Sequence, residues 1–87
     1  MYRIEISKRA DKQLRRIQRH KAQSIRKAIR DIAADPFAPR ATVDWLSEAH
    51  GLHRLRAGRW HVIYALDRES RTLRVVTIET RGQVYKR

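Results

Sequence analysis

The first residues of the chain alternate between apolar and polar side chains, as in "YRIEIS" at positions 2–7. A period of two over this length predicts a half-buried β-strand. Ser7 can accept a hydrogen bond at the start of a helix, and the residues after it change to helical spacing. The apolar positions of this first helical run are Ala10, Leu14 and Ile17. The pattern therefore predicts a strand followed directly by an amphipathic helix.

A second amphipathic run begins after the helical phase is interrupted near His20 and Lys21. Its apolar positions are Ile25, Ala28, Ile29, Ile32 and Ala33. Pro36 and Pro39 cannot continue a helix, because proline lacks the backbone N–H and its ring clashes with the preceding turn. The sequence therefore predicts a hairpin of two helices between residues 8 and about 34.

Three further segments alternate in the same way as the first, namely "LHRLRA", "RWHVIYALD" and "TLRVVTIET". Gly58 separates the first two and the polar turn "DRESR" separates the last two, which is typical of antiparallel hairpins. Residues 36–51 are interpreted as a connection that carries a short helical piece, with Trp45 and Leu46 inserted into the core. The apolar positions of the first hairpin, all candidates for the core, are Leu52, Leu55, Trp60, Val62, Ile63, Tyr64 and Leu66.

Taken in order, these elements predict one α+β domain over residues 1–87, with the order β-α-α-β-β-β. We expect an antiparallel sheet of four strands, packed on one face against the two-helix hairpin. The residues expected to be mostly buried are Leu14, Ile17, Ile29, Val62, Tyr64, Val75 and Ile78. The other face of the sheet should be open and should display His53, Arg54, Arg56, Arg59 and His61.

The charge of the chain limits the classes of molecule that we expect it to bind. The formal net charge is +12, and Asp11 is the one acidic residue between positions 8 and 27. Such an excess concentrates polyanions around a protein and repels itself without them. Nucleic acid is therefore the first candidate partner and an acidic protein the second.

Several classes of chemistry are not supported by the sequence. The chain has no cysteine, so a disulfide framework, a thiol nucleophile and a cysteine-ligated metal are excluded. His50 and His53 are three residues apart, but zinc would need a helix there and two further ligands. The sequence shows no signal region and no apolar run near the roughly 20 residues of a membrane span. We therefore expect a cytoplasmic protein without a metal or another cofactor.

Three blocks of the sequence resemble the RelE/ParE superfamily of bacterial toxins. They are "YRIEISKRADKQLRRI", "GLHRLRAGRWHVIYAL" and "IETRGQVYKR", which cover nearly the whole chain in the family's order. The middle block is the most specific, since it repeats the run from Arg54 to Tyr64 that relatives share. It departs at one position, because many relatives carry an arginine where this chain has His61.

The resemblance implies the toxin of a type II toxin-antitoxin system that inhibits translation by cutting messenger RNA, commonly on the ribosome. In RelE-like members the 2'-hydroxyl attacks the adjacent phosphate without a metal. The reaction needs a base, an acid and cations for the charge that develops on the phosphorus. The resemblance implies that His61, Arg81 and Tyr85 are catalytic and that Arg54, Arg56 and Arg59 bind RNA phosphates. His61 and Tyr85 are alternative proton-transfer groups, since the ordinary pKa of histidine is about 6.5 and cations can lower that of tyrosine.

Other interpretations of the same residues remain. Arg54 and Arg56 could be solvated residues on a polar strand face, His61 an ordinary surface histidine, and Tyr85 an aromatic residue packed on the sheet. ParE-like members share the fold but inhibit DNA gyrase and have no nuclease activity. The composition alone would also fit a non-catalytic nucleic-acid-binding module. In either kind of toxin the expected protein partner is a cognate antitoxin, which would form a hetero-oligomer with this chain.

Overall fold

The computed structural model describes residues 1–47 and 49–80, in which two helices and five strands follow one another. In chain order they are β1 (Arg3–Ile6), α1 (Lys8–Arg16), α2 (Arg19–Ala34), β2 (Val43–Ser47), β3 (Leu52–Ala57), β4 (Trp60–Asp67) and β5 (Thr72–Thr80). The strands form one sheet in the order β1-β5-β4-β3-β2. The predicted α+β class, with two helices beside a sheet, is confirmed.

The direction of β1 differs from the antiparallel sheet that we expected. β1 lies parallel to β5, with Arg3 opposite Thr72 and Ile6 opposite Val75, whereas the other three neighbouring pairs are antiparallel. Alternation identifies a strand but carries no information about the direction of its neighbour. α2 ends beside the start of β1, where the Tyr2 N–H donates to the Ala33 carbonyl, and residues 35–42 then carry the chain to the opposite end of the sheet before β2 begins. Three antiparallel steps from β2 to β5 therefore leave β5 parallel to β1.

The segment before β3 corrects a second expectation. Residues 43–47 are the edge strand β2 rather than a helical piece, and Val43 pairs with Leu55. Trp45 and Leu46 are 55% and 45% exposed, so their predicted insertion into the core is wrong. An edge strand has a neighbour on one side only, and this lack of cover leaves its large side chains in contact with solvent.

The start of α1 and the end of α2 lie where the sequence predicts them, but the interruption between the two helices lies at a different residue. The Oγ of Ser7 accepts a hydrogen bond of 3.0 Å from the Ala10 N–H, which confirms Ser7 as the N-cap. α2 ends at Ala34, ahead of the two prolines, as predicted. The interruption falls at Ile17, which has extended backbone angles, and not at His20 and Lys21.

The core lies between the helices and the sheet, and all seven residues predicted to be mostly buried lie in it. Of the other hairpin positions, Leu55 and Leu66 are buried, whereas Leu52, Trp60 and Ile63 are only half-buried. The structure corrects the expectation for two histidines. His53 and His61 are 3% and 7% exposed rather than displayed on an open surface. His53 lies on the helix side of β3, because it alternates with the arginines that point the other way.

Replacing Gly51 by alanine should lower the free energy of unfolding by about 1–3 kcal/mol. Gly51 has a φ of 61°, and a Cβ there would lie 2.6 Å from the backbone oxygen of Leu66. Gly58 is the matched control, because it has the same φ but no described atom within 4 Å of an added Cβ. Urea denaturation should therefore show a larger loss for Gly51→Ala than for Gly58→Ala. Equal losses would contradict a steric role for the Leu66 contact.

Candidate nucleic-acid interface

The face of the sheet opposite the core carries two rows of polar side chains from neighbouring strands. In one row Asp44 of β2 pairs with Arg54 of β3. In the other, Arg56 of β3 pairs with His61 of β4, which pairs in turn with Glu79 of β5. Alternate residues of a strand share a face, so both rows lie on the same side of the sheet. These five residues are the polar cluster.

Asp44 holds two arginines of the polar cluster together. Its Oδ2 atom lies 3.0 Å from Nη2 of Arg54 and 3.5 Å from Nε of Arg56. The hydrogen bond from Arg54 lowers the pKa of Asp44, desolvation opposes this, and the charges of Arg56, Arg54 and His61 lower it further. Asp44 is therefore ionised at neutral pH, with one carboxylate oxygen shared between two guanidinium groups.

The position of Arg56 is also fixed by the connection that precedes β2. Its Nη2 atom donates a hydrogen bond of 2.6 Å to the Ala41 carbonyl, and its backbone N–H donates one of 2.8 Å to the Thr42 carbonyl. The side chain of Arg56 is nevertheless 49% exposed, compared with 26% for Arg54. Both guanidinium groups are thus oriented by the protein and still partly accessible from solution.

His61 lies between a cation and a carboxylate across the sheet. The register places it opposite Arg56 on one side and opposite Glu79 on the other. The side chain of Glu79 is 4% exposed, and its Oε2 atom lies 3.6 Å from Nη2 of Arg9. A histidine in such a row has the chemistry to move a proton close to guanidinium groups, which are of the type that can bind phosphate.

α1 brings Arg9 to this part of the sheet because β1 is short. Among residues 1–47 and 49–80, β1 pairs only with residues 72–75 of β5, so no described strand lies beside the later backbone groups of β5 on that side. The N-cap of α1 and a side chain within α1 form hydrogen bonds with these backbone groups in place of a strand. Oε1 of Gln13 accepts a hydrogen bond of 2.7 Å from the Ile78 N–H, and Oγ of Ser7 donates one of 2.7 Å to the Val76 carbonyl.

The structure brings together three of the six residues singled out in the sequence, namely Arg54, Arg56 and His61. Arg59 lies in the turn between β3 and β4, where it lines a cavity of about 300 Å³ with Lys21 of α2 rather than a row of the polar cluster. Arg81 and Tyr85 lie outside the described residues.

Sequence reasoning missed the acidic members of the polar cluster. Asp44 and Glu79 each stand next to an apolar residue in a short strand, "VDWLS" for β2 and "TLRVVTIET" for β5. Their alternation was a usable signal for the face on which they lie. The cross-strand partners of Asp44 and Glu79 could not be predicted from the sequence, because they depend on the register in which the strands pair.

Two further features concern the described part of the chain only. Within residues 1–47 and 49–80, no group of three or more His, Asp or Glu side chains is arranged to hold a metal ion. In the same ranges, neither helix has the length and apolar character that crossing a bilayer would require.

Replacing Asp44 by asparagine should strengthen the binding of single-stranded nucleic acid severalfold and make it more salt dependent. The change removes the carboxylate that competes with phosphate for Arg54 and Arg56, which frees cations to release counterions from the ligand. Asp31→Asn is the matched control, because Asp31 forms an exposed ion pair of 3.3 Å with Lys27 on α2. Fluorescence anisotropy over a range of salt concentrations would compare the variants. An equal gain for both would attribute the effect to net charge alone.

The sequence of the chain matches a known protein family. The family model described as "ParE toxin of type II toxin-antitoxin system, parDE" matches residues 4–85. No curated protein matches the chain in sequence.

Solved structures share its fold. A chain of the archaeal RelE-RelB complex from Pyrococcus horikoshii OT3 superimposes with a TM-score of 0.83 at 21% identity, covering 94% of this chain and 97% of that one. The isolated E. coli RelE toxin has a TM-score of 0.75 at 19% identity, covering 99% and 93%. The YoeB/ParE toxin from Agrobacterium tumefaciens has a TM-score of 0.74 at 16% identity, covering 90% and 96%.

Proposed function

Since the chain belongs to the ParE toxin family of type II toxin-antitoxin systems, we propose that it acts within that class as a RelE-like endoribonuclease that cuts messenger RNA. The observation that carries the proposal is the pair of arginines, Arg54 and Arg56, that converge on one carboxylate oxygen beside His61. This arrangement combines anion binding with a group that can transfer a proton. The similarity in fold to the RelE toxins supports the same choice.

The Asp44 carboxylate marks where a phosphate would bind. Guanidinium groups recognise carboxylate and phosphate oxygens through the same fork of N–H donors. An RNA phosphate that displaces Asp44 would meet both arginines, at the distances of 3.0 and 3.5 Å that Asp44 Oδ2 now has. Their positive charge would stabilise the phosphorane more than the ground state, because negative charge increases during attack.

Two proton transfers complete the reaction. The 2'-hydroxyl loses its proton as it attacks the phosphorus, the bond to the 5'-oxygen breaks, and that oxygen gains a proton as it leaves. His61 would act as base or acid, and Tyr85 is the alternative. Arg81 would add a further cation. The roles of Tyr85 and Arg81 rest on the family resemblance.

The proposed function also implies a substrate, a cellular location and a protein partner for this chain. Messenger RNA is the substrate, cut on the ribosome in the cytoplasm, and the consequence is inhibition of translation. Some of the similar solved structures are complexes of RelE with RelB. This supports a cognate antitoxin for the present chain, bound as a hetero-oligomer that blocks the polar cluster.

A second candidate is ParE-like inhibition of DNA gyrase. Two observations favour it: the matching family model is that of ParE toxins, and Asp44 already engages both arginines that would bind phosphate. A non-catalytic nucleic-acid-binding module is the third alternative, and it would bind RNA without changing it.

One pair of assays separates the three functions. Purified protein is added to ribosomes with messenger RNA and the products are mapped by primer extension, while a parallel reaction follows supercoiling of relaxed plasmid by gyrase. The endoribonuclease predicts new RNA ends that weaken in Arg81→Ala and Tyr85→Phe, with supercoiling unaffected. Blocked supercoiling with intact RNA would establish the ParE-like activity instead. RNA binding with neither effect would leave the non-catalytic module.

A further inference from the structure

A cleft of about 750 Å³ lies on the helix side of the sheet, between the connection that follows α2 and the edge strand β2. Its walls include the rings of Phe37, Trp45 and His53 and the side chains of Arg40 and Arg68. We call this the aromatic cleft. Trp45 and His53 alternate along their strands with the Asp44 and Arg54 of the polar cluster, so the two sites occupy opposite faces of the sheet.

One wall of the aromatic cleft contains a row of three packed rings that ends in solvent. Tyr64 is buried at the base, and burial raises its pKa to about 12, against a smaller opposing effect of Arg40. His53 stacks on Tyr64 with centroids 5.2 Å apart, and Nδ1 of His53 is 2.9 Å from the Gly51 carbonyl oxygen. Trp45 packs edge-on against His53 with ring centroids 4.6 Å apart, and Trp45 is 55% exposed. The exposed indole thus packs against His53, which is itself held by Tyr64.

The second wall contains another exposed ring that is held in place. Phe37 packs edge-on against Tyr2 with centroids 6.0 Å apart, and the guanidinium carbon of Arg68 lies 4.4 Å from its ring centroid. Phe37 is nevertheless 45% exposed. Positioned aromatic side chains that remain exposed around one cavity are typical of a ligand site.

The charge of the aromatic cleft is positive and uncompensated. Arg40 donates hydrogen bonds to the carbonyls of Asp31, Asp35 and Ala38, at 3.0, 2.8 and 3.1 Å. These contacts orient the guanidinium group of Arg40, but the carbonyl oxygens are neutral and do not cancel its positive charge. Neither Arg40 nor Arg68 forms an ion pair within residues 1–47 and 49–80, and no Asp or Glu is among the described residues that line the cleft.

We propose that the aromatic cleft binds an unpaired base of single-stranded nucleic acid by stacking, with the adjoining phosphates on Arg40 and Arg68. The exposed indole of Trp45 beside two arginines favours this ligand over an acidic peptide, which would use the cations but not the ring. β2 is the edge strand, so Asp44 and Trp45, which are neighbours in the chain, present opposite faces at the rim. One strand of RNA can therefore bend around β2 and contact both sites. The inference rests on the proposed function in taking RNA as the ligand.

The test compares two DNA probes that lack a 2'-hydroxyl and therefore cannot be cut by the proposed reaction. One is a short single-stranded oligodeoxyuridylate and the other is an abasic strand of equal length. Trp45→Ala should weaken binding of the oligodeoxyuridylate on the order of tenfold and leave binding of the abasic strand unchanged. Leu46→Ala is the matched control, because Leu46 is the next residue on the same edge strand and is 45% exposed. It should change neither affinity.

A second measurement reports on the ring itself. In a Trp60→Phe background Trp45 is the one tryptophan, and stacking of a base should quench its fluorescence with the oligodeoxyuridylate but not with the abasic strand. Equal binding of both probes by the unaltered protein, with no effect of Trp45→Ala, would overturn the inference and leave the phosphate interface standing. If the unaltered protein binds neither probe, the inference is wrong, whereas the proposed function is judged separately by the RNA ends mapped on ribosomes. If Trp45→Ala weakens only the complex with an antitoxin, the cleft belongs to a protein partner and the inference is wrong.

Discussion

Replacing His61 by glutamine should slow RNA cleavage by at least about a hundredfold, in the range that general acid-base groups contribute. Glutamine retains hydrogen-bonding atoms of similar reach but cannot exchange a proton near neutral pH. RNA affinity should change much less than the rate, because the arginines proposed to bind phosphate are untouched. Single-turnover cleavage and equilibrium binding, measured on the same RNA, would separate the two quantities.

The pH dependence and a matched histidine make this test specific. The limb of the pH–rate profile that reports the essential base or acid should disappear in His61→Gln. His50→Gln is the control, because His50 is exposed and belongs to the turn before β3 rather than to the polar cluster. A variant at His61 that cuts RNA at the normal rate would transfer the proton-transfer role to Tyr85, which Tyr85→Phe would then show.

Replacing Arg56 by alanine should reduce the cleavage rate roughly a hundredfold, or about 3 kcal/mol of transition-state stabilisation. Arg56 lies beside both Asp44 and His61, so a phosphate bound there would also be within reach of the proton-transfer group. The effect should fall mainly on the rate of the chemical step, because charge on the phosphorane increases as the bond forms. Single-turnover rates at saturating RNA would measure it.

Two further variants show whether position or charge is responsible. Arg56→Lys keeps the positive charge but loses the fork of donors, so it should recover binding more than rate. Arg74→Ala removes an equal charge from an exposed side chain of β5, in a row that contains Ala65 instead of His61. Rate losses of the same size for Arg74→Ala and Arg56→Ala would contradict a specific role for Arg56.

Part of the candidate site was predictable from the order of residues alone. Arg54 and Arg56 are two positions apart in a strand and therefore share a face. The short Gly58 turn brings His61 close to Arg54 or Arg56, and the structure pairs it with Arg56. The turn is local and its length sets the register, so no distant contact was needed. Asp44 and Glu79 were not predictable in the same way, because their strands reach β3 and β4 through pairings that the local sequence does not specify.

The sequence by itself determined the type of most elements, the apolar face of each and the excess of positive charge. These properties follow from side-chain periodicity and composition, which are the same whatever the chain packs against. The tertiary structure alone decided that β1 runs parallel to β5 and that residues 43–47 form an edge strand. It also placed Trp45 in a cleft instead of the core. Those outcomes depend on which segments compete for a place beside β3 and β5, and a short apolar segment such as "VDWLS" becomes a strand only when a neighbour offers it hydrogen bonds.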